Sequence, residues 1–219
     1  MIIPLFLSFA DANNQGLVWG VEEGTQLDYR LTLTETNESL TITVLDEEMY
    51  AVIRTLPVIP DDIDGLEELY FPVIADAYLK NGSDLNYNAG YAFFQVFPIG
   101  NWPLLTQLYT KFWHDARDIY QDSVMWAIHA TEDTDTSTLI FTEQFLKEDG
   151  ATAYTYIEVY DKTLDTTMTI EFIRDGYTKR APPLINMTFD DIIILGLLGV
   201  SVVIASLLIV QFRKSKQVE

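Results

Sequence analysis

Nineteen consecutive residues, from Ile192 to Val210 (IIILGLLGVSVVIASLLIV), carry no charge, no proline and no amide side chain. At a rise of ~1.5 Å per residue they reach about 28 Å as a helix, close to the ~30 Å hydrocarbon core of a bilayer. A helix satisfies its own backbone, so it is the one single-segment structure that lipid tolerates. The stretch predicts a transmembrane helix over 191–211. A buried core helix is the competing reading, but no apolar run follows it to complete a core.

The flanks set the orientation. Asp190 and Asp191 precede the span, and Arg213, Lys214 and Lys216 follow it. Basic flanks stay cytoplasmic, which places the N-terminus outside and makes 212–219 a short cytoplasmic tail. Inside the span, Ser201 and Ala205 lie four apart and Gly199 and Ser206 seven apart. Such small residues suit close helix approach, but they are also ordinary membrane-helix composition. Residues 1–12 (MIIPLFLSFADA) hold a short apolar run and an Ala10-Asp11-Ala12 cleavage-like site. They read as a signal peptide rather than a first strand, although the basic leader is missing.

The chain between these segments has the length of one domain with its own core. With no cysteine in the sequence, neither disulfides nor thiolate chemistry are available, a usage that fits an archaeal-like exterior. Acidic residues outnumber basic ones 33 to 13, for a net charge of −20. The basic tail makes the outer part more negative still. Such a surface repels nucleic acid and argues against it as a partner.

Alternation then divides the domain. Residues 16–23 (GLVWGVEE) read as an opening strand. Leu27, Tyr29, Leu31 and Leu33 alternate with polar residues over 26–36, as a half-buried strand does. Two further strands follow over 39–45 and 49–56, separated by an acidic turn at 46–48. Short helices are expected at 61–70 and 72–79, the first capped by Asp61. Residues 90–98 read as a buried strand. An amphipathic helix is expected over 102–121, with Pro103 in its first turn and Leu105, Leu108, Phe112, Ala116 and Ile119 on one stripe. Strands return over 124–131, 137–147, 151–161 and 166–174, with a hairpin turn at Asp149-Gly150. The expected fold is α+β. About nine mostly antiparallel strands form a twisted sheet, half-barrel or sandwich over 13–176, covered by the amphipathic helix. A proline-containing juxtamembrane stalk over 177–190 leads to the span.

Asp62-Ile63-Asp64-Gly65 begins like a calcium loop, but Phe71 stands where the closing glutamate belongs, so a solvated acidic segment fits better. Asp133 and Asp135 form a weaker pair of the same kind. His114 with Asp115 and Asp118 suggests a base and its orienter, yet i,i+4 pairing is what any exposed helix shows. His129 is assigned a structural role. No GxSxG, HExxH, Walker A or GxGxxG pattern occurs, so no catalytic, metal or cofactor residue is assigned and no enzyme is expected. Phe93, Phe97, Trp102, Phe112, Trp113 and Trp126 gather around the central helix, as a core or as the lining of an apolar cavity for a ligand such as a lipid. Sequons at Asn37, Asn81 and Asn186 mark possible N-glycosylation. Asn37 and Asn81 fall in polar turns, whereas Asn186 lies too near the span.

The GLVWGVEEG opening, the FPIGNW turn into a helix, the Glu-Asp-Gly hairpin before a Tyr-rich strand, and the stalk, span and basic tail together resemble archaeal single-pass surface proteins of no assigned activity. The resemblance implies an extracytoplasmic, membrane-tethered β-rich domain and transfers no catalytic residue. Two functions are expected on these grounds. The favoured one is a non-enzymatic surface module for a protein, envelope or glycan partner; the alternative is a tethered binder of an apolar small molecule.

Overall fold

Period-two patterning builds most of this domain, and its first strand shows how. In β1 (Gln26–Asn37), Leu27, Tyr29, Leu31 and Leu33 are buried on one face while Arg30 and Thr32 take the other. The computed structural model describes residues 13–37, 40–65, 73–81, 94–113 and 118–180. The further elements are β2 (Leu40–Thr55), β3 (Ile74–Leu79), α1 (Trp102–Trp113), β4 (Asp118–Gln121), β5 (Met125–Asp133), β6 (Ser137–Leu146), β7 (Thr152–Asp161) and β8 (Thr166–Arg174). The eight strands form one open sheet in the order β3-β2-β1-β8-β7-β6-β5-β4, and every pairing is antiparallel. The chain thus makes a three-strand meander, leaves the sheet, and returns with a five-strand meander. The pairing of β1 with β8 joins the two.

The core lies on the inner face. Leu31, Met49, Ile53, Ile157, Ile170 and Phe172 form one cluster there, joined by Phe94 and Val96 from the segment before α1. A second cluster lies under α1, where Leu105, Leu108 and Tyr109 meet Trp126, Ile128 and Phe145. Asn101 caps the helix: its Oδ1 accepts the Leu104 N–H at 3.1 Å, three residues on. Gly150 is required at the β6–β7 turn. Its φ is +75°, and a Cβ there would sit 1.9 Å from the Phe97 carbonyl oxygen.

Several expectations are corrected. The expected strands at 39–45 and 49–56 are one strand, β2, because Asp46–Glu48 stays in the ladder opposite Arg30–Thr32 instead of turning. Residues 74–79 form strand β3, not part of a helix: Ala75, Ala77 and Leu79 alternate with Asp76 and Tyr78, and β2 supplies the partner. The described helix spans Trp102–Trp113, and within the expected helical stretch Asp118–Gln121 is strand β4, with Ile119 opposite Ile128. Among the described residues, the 16–23 segment makes only an isolated bridge, Val18 to Ile99. Residues 61–65 are not helical. Val96 forms a single bridge to Ala151, and 90–93 lie outside the described residues. Among the described residues the strands number eight, all in one open sheet, in keeping with the expected mostly antiparallel β-rich domain.

Among the described residues, no helix is long and apolar enough to cross a membrane. The segments 1–12 and 181–219, with the expected signal peptide and span, lie outside them.

Candidate functional site

The outer face of an open sheet is normally wet, yet the outer face of β6 carries a side chain with no exposed surface. Residues 141–145 of β6 are buried without a break, so both faces are covered there. Phe141, Glu143 and Phe145 face inward. Thr142 and Gln144 face outward, opposite His129 and Ala127 on β5 and opposite Tyr156 and Tyr154 on β7.

What covers Gln144 is the chain beyond β8. Gly176 turns it with φ +75°, the Tyr177 N–H bonds the Arg174 carbonyl at 3.0 Å, and residues 177–180 run across β7 and β6 as a strap. The Gln144 amide is then saturated. Its Nε2 donates to the Tyr120 hydroxyl at 2.9 Å and to the Arg180 carbonyl at 2.5 Å. Its Oε1 accepts from the Tyr177 hydroxyl at 2.8 Å and from the Arg180 N–H at 3.3 Å. An amide offers two donors and two acceptor sites, and all four are used. Ion pairs hold the strap's flanks: Arg180 with Asp122, and Lys179 with Glu171 at 2.7 Å. The Lys179 ammonium also lies 5.8 Å from the centre of the Tyr154 ring. The first residues of the expected stalk are therefore packed on the sheet.

Around the strap, the outer face is a field of hydroxyls, carboxylates and rings. The Tyr154 hydroxyl donates to Glu171 at 3.0 Å and the Tyr156 hydroxyl to Glu158, with the two rings stacked at 6.5 Å. Farther across, Tyr50 stacks on Tyr78 at 5.2 Å, and Arg54 reaches both Asp76 and the Tyr78 hydroxyl. Arg30 makes a two-point contact with Asp46 at 2.6 Å. At the root of the strap a cleft of about 260 Å³ is lined by Asp28, Arg30, Glu48, Lys80, Asp175 and Tyr177, with both charge signs side by side. It is smaller than the ~300–1,000 Å³ of a drug-sized pocket.

Burial sets the protonation of this face. Desolvation pushes the Tyr156 and Tyr177 hydroxyls up to about 12, with Glu158 adding to the shift at Tyr156. It raises Tyr154 further, helped by Glu171, and raises Tyr120 against the opposing bond from Gln144. All four stay neutral near pH 7. Desolvation lowers His129, with Asp118 opposing weakly, and its Nδ1 lies 2.9 Å from the Thr142 hydroxyl. Asp122 is lowered first by the backbone N–H groups of Val124 and Met125 and then by Arg180, so it stays a carboxylate facing the strap. The chemistry offered is hydrogen bonding and ring stacking by groups already oriented by neighbours.

The aromatic residues picked out in the sequence take another position. Phe97, Trp102 and Trp126 are buried under α1 on the inner face. Phe97 meets Phe145, Trp126 and Tyr109 edge-on at 4.8, 5.7 and 6.4 Å, and Trp102 lies 5.9 Å from Trp126. The Trp126 indole N–H donates to the Thr106 hydroxyl at 2.9 Å. Phe112 is partly exposed, and Phe93 lies outside the described residues. Of the acidic segment, Asp62 and Asp64 are exposed, while buried Ile63 is clasped by Gln15 and the Asp64 carbonyl accepts from Lys111. Asp133 is paired with Lys162 at 2.6 Å and takes the Thr138 hydroxyl. His114 and Asp115 lie outside the described residues, and Asp118 opens β4. Among the described residues, no group of three or more His, Asp or Glu side chains could hold a metal ion. Asn37 and Asn81 are both exposed, at the end of β1 and just past β3.

Compared with protein families, with curated proteins and with solved structures, the chain shows no match.

Proposed function

We propose that the chain is a single-pass, membrane-anchored extracytoplasmic interaction module, held by the 192–210 span and non-enzymatic. Its outer sheet face is the surface offered to a partner. The observation that carries this is the contrast between the two faces. The inner face is filled by its own rings in mutual contact, which disfavours a lipid cavity. The outer face displays tyrosines, paired charges and a mixed-sign cleft over much of an open sheet. Tyrosine provides large contact area at small entropic cost, and oriented ion pairs provide specificity; both are common at recognition surfaces. The excess negative charge repels nucleic acid and selects partners with a basic or neutral face.

The test places a photo-crosslinking side chain at Tyr156 on the outer face and, separately, at Leu164 on the far β7–β8 turn. Both variants are the full chain in its own membrane. A discrete adduct from position 156 that position 164 does not give supports the module. Equal labelling at both positions, or native mass spectrometry of the full chain releasing a lipid-sized mass that disappears on denaturation, sinks it. The second outcome favours the carrier reading.

A further inference from the structure

Among the described residues, β2 has a strand partner on one side only over half its length. β3 pairs with β2 from Met49 to Thr55, and the last contact is the Lys80 N–H on the Glu48 carbonyl. From Leu40 to Glu47, β2 has β1 on one side and, among the described residues, no strand on the other. The open stretch begins Leu40-Thr41-Ile42-Thr43-Val44-Leu45, six residues rich in β-branched side chains with no charge, glycine or proline. Leu40 and Ile42 are 56% and 51% exposed. The β1–β2 register shifts at Val44, but an uncharged edge of this composition is still a template for pairing with another chain. Asp46 and Glu47 guard its inner end, and the outer six residues carry no charge of their own.

Both ends of this stretch carry a sequon. Asn37, the first residue of the Asn37-Glu38-Ser39 sequon, ends β1 and pairs with Leu40 at the start of β2. The Leu40 N–H bonds the Asn37 Oδ1 at 3.1 Å, which fixes the amide in a turn. Asn81-Gly82-Ser83 starts one residue after the last β3 contact, beside Glu48 at the other end. The two sites flank an edge of roughly 23 Å, seven steps of ~3.3 Å. Chain order separates the sequons by more than forty residues; the β2 ladder brings both to one edge.

We infer that Asn37 and Asn81 are N-glycosylated and that the two glycans shield the open β2 edge from pairing with other copies. The inference rests on the extracytoplasmic placement proposed above. In the transfer step the Asn Nδ2 bonds to the anomeric carbon of a lipid-phosphate-linked oligosaccharide. The bond from that carbon to the phosphate oxygen breaks, the lipid phosphate leaves with the electron pair, and the Nδ2 proton passes to a base of the transferring enzyme. A hydrated polymer at each end of the edge excludes a second strand by volume alone.

The test uses the full chain in an N-glycosylating host, with peptide mass mapping and sedimentation in detergent. Protease access to sealed membrane vesicles reports which side the domain occupies. The expected result is one sugar mass at each of Asn37 and Asn81. Asn37→Gln and Asn81→Gln each remove one, and so do Ser39→Ala and Ser83→Ala, which leave the asparagines in place. The doubly unmodified chain assembles at a concentration about tenfold lower than the modified one, and adding Ile42→Lys restores the monomer. An outward-facing domain with bare asparagines overturns the inference and leaves the topology intact. So does a doubly unmodified chain that assembles no more readily than the modified one. A domain on the cytoplasmic side overturns the proposed topology and this inference with it.

Discussion

Replacing Gln144 with alanine should release the strap while leaving the sheet folded. Docking the strap gains three hydrogen bonds to Gln144 at about 1 kcal/mol each. The half-buried Tyr177 ring adds about 1–2 kcal/mol. Lys179 and Arg180 are themselves exposed, and their ion pairs together contribute about 1 kcal/mol. Against this, ordering four residues costs about 1–1.5 kcal/mol each. The margin is therefore about 1 kcal/mol, and losing Gln144 removes about three times that. Gln144→Ala should shift the strap from mostly docked to mostly free. Hydrogen exchange by mass spectrometry on the full chain in nanodiscs reads this directly. The Arg180 amide should lose its protection, while amides of β7 and β8 keep theirs. Unchanged protection at residues 177–180 would mean that something other than this amide holds the strap.

Trp126→Ala should cost about 3–5 kcal/mol in denaturant unfolding, since a fully buried indole touching Phe97, Trp102, Tyr109 and Phe145 leaves a large cavity; a loss under 1 kcal/mol would mean that the cluster is loosely packed. Gly150→Ala and Gly176→Ala share φ +75° but differ in surroundings. The second should cost about 1 kcal/mol of backbone strain, and the first well beyond that, because its Cβ meets the Phe97 carbonyl; equal melting temperatures would contradict this. The folded-state pKa of His129 is depressed by burial, so its contribution to stability is present above the unfolded value of about 6.5 and is lost as pH falls through that value toward the folded one. Thermal melts should fall between pH 7.5 and 5.5 in the native chain and fall less in His129→Gln; parallel pH slopes would remove His129 from the account.

The strands that a reader of the sequence can find are those whose two faces differ. β1 is legible because leucines and Tyr29 alternate with Asp28, Arg30 and Thr32, and the buried set is the expected one. The β6–β7 hairpin is legible because Asp149-Gly150 supplies the positive φ that its turn needs. β2 and β3 are obscured for opposite reasons. Asp46–Glu48 looks like a turn because three acids in a row have no inner face, but they lie near the sheet's edge, where an exposed strand tolerates them. Ala75, Ala77 and Leu79 are good helix formers, and only pairing with β2 makes their alternation decisive. The helix is overrun for a related reason: Ile119 and Tyr120 continue its apolar stripe by spacing, although Ile119 faces Ile128 across β4 and β5.

The outer-face site is harder still, because a bulge moves it. Counting back from the β6–β7 turn, Phe145 faces Thr152, so regular pairing would set Gln144 against Ala153 and Glu143 against Tyr154. The register shifts between Gln144 and Phe145, and Tyr154 instead faces Gln144. One extra residue therefore reverses the face taken by every later side chain of β7 relative to β6. Without it, Tyr154 and Tyr156 would join the inner core and Thr155 and Ile157 would face out. With it, the tyrosine hydroxyls reach Glu171 and Glu158, and an amide on an outward position is left for residues 24, 33 and 36 positions away to satisfy. No local pattern encodes those separations. The sequence does hold one trace of the site: a Thr-Glu-Gln run between the apolar Leu139–Phe141 and Phe145-Leu146 of one strand. Three adjacent polar residues there require hydrogen-bonding partners on both faces of the sheet.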